Sequence, residues 1–229
     1  MLRKSLPWIG VVLILFLLQS CAQKPEEGLL KRYFHAVSLK DVTTMSTMAL
    51  EPVSIEAVSW KIAKVSGERI DPAGLPELDK MEKEYKKKLE EHVGPTVDAD
   101  DALYAAKENL RTARTRAARR AAQKEVDEAQ IKFDEEREIH RQLQKNYNEA
   151  KAAAAREEEI SAFSLGAGEL PNIREMQGDV HSRDVEVRVV TKTGTKDYNF
   201  WLRKYDLKDE TLGRTFRGRW IIVAIEPLD

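Results

Sequence analysis

The chain has 229 residues, with 38 Lys+Arg against 39 Asp+Glu, a formal charge of −1. That balance excludes any whole-chain attraction to nucleic acid or anionic lipid, and the single cysteine excludes an intrachain disulfide and a Cys-based zinc cage. Charged residues make up 34% and aromatics only 7%, too few bulky side chains for one compact sphere, so part of the chain is expected to be extended.

The N-terminus reads as an address. Arg3 and Lys4 precede an apolar run from Leu6 to Leu18, shorter than the roughly 20 residues that cross a bilayer as a helix. It has the form of a secretory signal covering residues 1–20. The run ends at Leu18-Gln19-Ser20-Cys21, which resembles the lipobox of bacterial lipoproteins, although Gln19 departs from the usual small residue. The resemblance implies cleavage before Cys21, lipidation of that residue and anchorage to the cell envelope facing the periplasm. Several acyl chains together anchor firmly where one does not. Ala22 is not the aspartate that retains enterobacterial lipoproteins at the inner membrane, so the outer membrane is favoured. The alternative is an uncleaved signal anchor.

Residues 21–26 form a short linker containing Pro25. Leu30, Tyr33, Phe34 and Val37 fall at helical spacing, and Val42, Met45 and Met48 or Ala49 resume it after Asp41, an expected N-cap. Val53–Val65 is predicted as a strand with Val58, Trp60 and Ile62 on one face, and Asp71-Pro72-Ala73-Gly74 punctuates the chain.

Leu75–Ile160 holds 18 Lys/Arg and 21 Asp/Glu in 86 residues. A first helix is predicted from about Pro76 to His92, stopped by Gly94-Pro95. From Asp98 or Asp100 to Ile160 there is no glycine or proline, which predicts one uninterrupted helix of about 90 Å. Leu103, Ala106, Leu110, Ala113 and Ala117 begin a weak heptad seam. Ala122, Val126, Ala129, Phe133, Glu136, His140, Leu143, Tyr147, Ala150 and Ala154 continue it. On this reading the first helix covers only a third of the second. Roughly 40 residues are left without an intrachain partner, and Val126, Phe133, Leu143 and Tyr147 become a partner-binding seam for another protein or a second copy. A fold-back onto the domain or a solvated single helix are the alternatives.

Gly166-Ala167-Gly168 reads as the joint where the arm re-enters the domain. Val185, Val187 and Val189 then alternate with Glu186 and Arg188, Thr193-Gly194 marks a turn into Tyr198, Phe200 and Leu202, and Trp220–Ile225 is apolar on both sides, as a central or doubly covered strand is. The predicted class is α+β: N-terminal helices packed on a curved antiparallel sheet, with an inserted long α-helical hairpin or coiled-coil arm. Residues 27–74 and 161–229 form the domain and 75–160 the arm.

No catalytic or metal motif is present. His35, His92, His140 and His181 are scattered, and no phosphate-binding glycine loop or nucleophile elbow occurs. Neither a cofactor nor a metal is expected. Arg111, Arg114, Arg116, Arg119 and Arg120 scatter around a helix, and an exported location disfavours nucleic acid.

The stretch Leu29-Leu30-Lys31-Arg32-Tyr33-Phe34-His35-Ala36-Val37, then Lys40-Asp41, the strand Val58–Val65 and the closing Trp220-Ile221-Ile222 resemble the nuclear-transport-factor-like fold, a cone of helices closed by a curved sheet. Enzymes of that family carry an acid or base, often with a tyrosine, in the mouth of the cone. Asp41, Tyr33, Tyr198 and Tyr205 are available, but no spacing makes them a set. The preferred expectation is therefore a non-enzymatic, lipid-anchored tether or scaffold. A module or enzyme holding a small apolar ligand in the cone is the alternative.

Overall fold

The computed structural model describes residues 24–166, 170 and 172–228. The signal segment, Cys21, Ala167 and Gly168 lie outside the described residues. Helix α1 (Pro25–Ser38) starts with Pro25 in its first turn, where a missing N–H costs nothing. Asp41 caps α2 (Val42–Ser46), its carboxylate accepting from the Thr44 N–H. Strands β1 (Ser59–Val65) and β2 (Arg69–Pro72) follow, then α3 (Leu75–Glu91), α4 (Val93–Thr112) and α5 (Arg116–Leu165). A 3₁₀ turn (Ile173–Glu175) leads to β3 (Gln177–Thr191), β4 (Gly194–Asp209), β5 (Arg214–Arg217) and β6 (Ile221–Leu228).

The sheet is antiparallel and curled, built on a long β3–β4 hairpin paired without a slip from Thr191↔Gly194 to Gln177↔Lys208. β1 and β2 lie successively along one side of β3, and β6 and β5 along the far side of β4. Side chains alternate faces along such a hairpin, and both faces are buried, at opposite ends. Val185, Val187 and Val189 of β3, with Phe200 opposite Val185 and Leu202 on the same face of β4, point toward α1 and α2 and form one core with Leu30, Tyr33, Phe34 and Met45. Val180, Tyr205 and Leu207 have the opposite parity and form a second core with Leu75 and Ile160 from the arm base, Ile173, Met176 and Ile221.

The class expected from the sequence is the one observed, a curled antiparallel sheet with N-terminal helices and an inserted helical arm. β6 is doubly covered as expected, with Ile221 and Ile222 both fully buried in different cores. It is not a central strand, because its outer edge meets only a bridge from Ala49. Val58 departs from its expected face: it precedes β1 and is 66% exposed, whereas Trp60 and Ile62 pack inward. β3 and β4 also run well beyond the valine and aromatic alternation, because their far ends carry a polar network on the α1 side.

The arm corrects the sequence reading most. The first helix ends at Glu91, close to the expected stop, but the chain does not reverse at Gly94-Pro95 and the helical path resumes at once in α4. Pro95 sits in the first turn of α4, where its missing N–H is tolerated. The chain turns instead at Ala113-Arg114-Thr115: Ala113 is extended, and Thr115 caps α5 by accepting from the Ala118 N–H. α5 therefore has 50 residues, about 75 Å, and both α3 and α4 pack antiparallel against it. His92, at the α3–α4 junction, meets Glu136 at 2.9 Å and the His140 ring at 5.9 Å, halfway along α5. The overhang without an intrachain partner does not exist.

Candidate anchoring and arm-attachment sites

The first attachment site lies where α1 emerges from the linker. Glu26, only 3% exposed, accepts from Arg183 Nη1 at 2.6 Å. Arg183 also donates to Glu68, whose second oxygen contacts His181 Nδ1 at 2.6 Å. His181 Nε2 reaches Asp206 at 3.3 Å, Lys204 pairs with Asp206 at 2.7 Å, and Trp220 lies over the Arg183 guanidinium at 5.3 Å. The hydrogen bond from Arg183, then that from His181, holds the Glu68 carboxyl below the usual range. Three carboxylates and their cations thus tie Glu26 in the first turn of α1, five residues after the position read as lipidated, to the start of β2 and to β3 and β4.

The second site joins arm and sheet. Arg174, in the 3₁₀ turn, donates from Nε to Glu158 of α5 at 2.7 Å and from Nη1 to Glu82 of α3 at 2.7 Å, with Asp79 at 3.4 Å. These bonds, led by that to Glu158, raise the Arg174 pKa. On the sheet, Tyr205 donates its hydroxyl to Glu157 at 2.7 Å, and Arg203 donates to both. Burial first, and then the Glu157 charge, pushes the Tyr205 hydroxyl above its ordinary pKa. Ser164 Oγ donates to the Arg219 carbonyl at 2.8 Å and accepts from the Tyr205 N–H at 3.1 Å. Gly218 fits beneath it: a Cβ there would lie 2.4 Å from Ser164 Oγ and 2.6 Å from the Tyr205 carbonyl.

The residues considered for catalysis are dispersed. Asp41 is an exposed helix cap, Tyr198 packs beside the first core, and Tyr205 belongs to the arm base on the other face. The Tyr33 hydroxyl donates to the Val53 carbonyl and accepts from the Val53 N–H, both at 2.9 Å. Its surroundings are aromatic: Phe34 stacks on Trp60 at 4.7 Å, and Phe200 meets Tyr33 edge-on at 5.9 Å. The space between helix and sheet is filled by the protein's own rings, which weighs against an apolar ligand there. Among the described residues no group of three His, Cys, Asp or Glu is arranged to hold a metal.

Burial raises the Tyr33 pKa to about 12, against the lowering effect of its bond to Val53. A folded-state pKa above the unfolded value of about 10 contributes stability that is complete below pH 10 and lost as pH rises toward 12. Alkaline unfolding is therefore expected in that window. Tyr33→Phe is expected to shift the transition upward while costing about 1 kcal/mol at neutral pH. Circular dichroism against pH checks this, and an unmoved alkaline limb would remove Tyr33 as a cause.

Val126, Phe133, Leu143 and Tyr147 are half-buried, on the stripe of α5 that includes buried Ala122, Ala150 and Ala154 and, through Glu136 and His140, faces α3 and α4. Part of their surface is thus covered within the chain. Sequence reasoning missed Glu26, Ser164, Arg174, Arg183 and Gly218, because no periodicity marks residues whose partners lie up to 157 positions away.

No protein-family model, curated protein or solved structure matches the chain. Among the described residues, no helix is long and apolar enough to cross a membrane.

Proposed function

We propose that this protein is a non-enzymatic, lipid-anchored lipoprotein of the bacterial envelope, a rigid strut that holds the tip of its helical arm at a set distance from the anchor. The observation that carries this reading is the continuous bonded path from α1 to the arm. Arg183 fastens the first turn of α1 to the sheet, and Tyr205, Ser164 and Arg174 fasten the sheet to α3 and α5. Force applied at a lipid on Cys21 reaches the arm through folded structure, with only residues 22–24 between anchor and α1.

A groove of about 800 Å³ beside the start of α1 adds support. Lys24, Lys31, Arg32, His35, Arg219 and Trp220 contribute to its lining, which contains no carboxylate. A cationic face next to an acyl anchor favours an anionic headgroup layer.

The direct test is the mass of the mature N-terminus purified from bacterial membranes. A peptide beginning at Cys21 with a diacylglyceryl thioether and an acylated amine is expected, and Cys21→Ala should release the protein from the membrane fraction. An intact N-terminus still carrying residues 1–20 would overturn the lipoprotein reading.

A further inference from the structure

We infer that the distal end of the arm is an electrostatic docking surface for a phospholipid bilayer rich in anionic headgroups, engaged end-on. This rests on the strut reading for its biological setting, but not for the binding itself. Read along one continuous helix, the arginines of 111–120 point in many directions. The turn at Ala113-Arg114-Thr115 changes that, bringing the end of α4 and the start of α5 together. Arg114, Arg116, Arg119 and Arg120 then surround a depression of about 510 Å³, with Leu110 and Gln123 completing it and no carboxylate in its lining.

Among the described residues these guanidiniums are not neutralised. Arg119 Nε donates to the Ala113 carbonyl at 3.1 Å, capping the end of α4, and Arg111 pairs with Glu108. Among the described residues, Arg114, Arg116, Arg119 and Arg120 form no ion pair with a carboxylate. Residues 107–124 hold seven lysines and arginines against Glu108 alone. The rest of the arm, 75–106 and 125–160, reverses the balance, with 11 basic and 20 acidic side chains. A cationic tip on an acidic shaft is attracted to an anionic surface only at its end. Lying flat would bring the shaft's surplus carboxylates against the same headgroups.

Size selects the occupant. The end of two packed helices, each about 10–12 Å across, is too small for the 1,000 Å² or more that a stable protein interface buries. A headgroup layer needs no matching shape. Each arginine near it gains about fivefold in partitioning, and guanidinium pairs with phosphate in a fork. The shaft places this end about 75 Å from the arm base, where Arg219, lining the same groove as Lys24, is bonded to Ser164. An end that far from the anchor has the reach to meet a surface other than the leaflet that holds it.

The experiment reconstitutes the full lipidated chain in phosphatidylcholine donor vesicles and measures capture of acceptor vesicles. Acceptors are phosphatidylcholine alone or an equimolar mixture with phosphatidylglycerol. Capture of the anionic acceptors only is expected, lost in about 0.5 M salt, where screening shortens to a few ångströms. Replacing Arg114, Arg116, Arg119 and Arg120 by glutamine should weaken capture at least about a hundredfold with helicity unchanged, and lysine at the same four positions should restore most of it. Equal capture of neutral acceptors, or undiminished capture by the glutamine variant, overturns the proposal. So does loss of capture in millimolar inorganic phosphate at constant ionic strength, which would make the depression a site for a free anion. If the protein fails to stay with the donors on flotation, the anchor reading falls. The docking reading is then decided by mixing the same protein directly with the two acceptors.

Discussion

Gly218→Ala is expected to lower stability by about 3 kcal/mol and to loosen the arm where it joins the sheet. Gly218 donates its N–H to the Tyr205 carbonyl at 2.7 Å, so its Cα is pressed against β4 with Ser164 of α5 directly above. The added methyl would overlap Ser164 Oγ and the Tyr205 carbonyl oxygen, at 2.4 and 2.6 Å. The carbonyl belongs to a paired strand and does not move freely, so Ser164 must give way. It then loses both its bond to the Arg219 carbonyl and the one it accepts from the Tyr205 N–H. Overpacking of this kind costs about 1–3 kcal/mol, and two disrupted hydrogen bonds add to it. Urea unfolding measures the loss, and amide exchange should accelerate over residues 157–165 while α1 stays protected. An unchanged midpoint would mean that the base of α5 has slack, and a strut with a slack base does not set a distance.

Phe200→Ala is expected to cost about 4 kcal/mol, within the range for a fully buried phenylalanine. The ring has no exposed surface and sits edge-on to Tyr33 and 5.7 Å from Phe34, which itself stacks on Trp60. Removing it opens a cavity bounded by two helical aromatics and by Val185, its cross-strand partner. None of these can collapse inward without leaving the sheet or α1. Because β3, β4 and β6 each serve both cores, the loss should appear as one cooperative transition rather than as melting of one face. Urea denaturation followed by tryptophan fluorescence checks both points. A loss below about 1 kcal/mol would show that the first core repacks easily, and would reopen the space between α1 and the sheet to a ligand.

The two readings of function draw on different parts of the molecule. The aromatic filling of the first core disfavours a ligand module. The bonded path from α1 through the sheet to the arm favours a strut, and the charge separation between shaft and tip gives that strut a direction.

Much of the fold was legible because its signals are local. Leu30, Tyr33, Phe34 and Val37 mark α1 by their spacing, Asp41 marks the cap of α2, and Val185, Val187 and Val189 mark one face of β3. The charged composition of Leu75–Ile160, with no glycine or proline after Pro95, announced a helical arm, and Trp220–Ile225 announced a strand buried on both sides. Each of these follows from a residue's relation to neighbours a few positions away, which one-dimensional periodicity records.

What only the tertiary structure decided concerns partners distant in the chain. The turn at Ala113–Thr115 has neither glycine nor proline to mark it. It forms because α3 and α4 pack along α5, and partly burying the seam residues Val126, Phe133, Leu143 and Tyr147 within the chain favours the hairpin over a single rod. The polar halves of β3 and β4 looked unlike strands because their inward side chains, Arg183, His181, Lys204 and Asp206, satisfy one another rather than fill a core. Four arginines that a straight helix would scatter, Arg114, Arg116, Arg119 and Arg120, become one cationic end when the helix is broken among them. Sequence determines which charges and apolar groups exist and which local structure they favour. Their meeting is set by chain reversal, because long-range contacts depend on which surfaces remain to be buried after the local elements have formed.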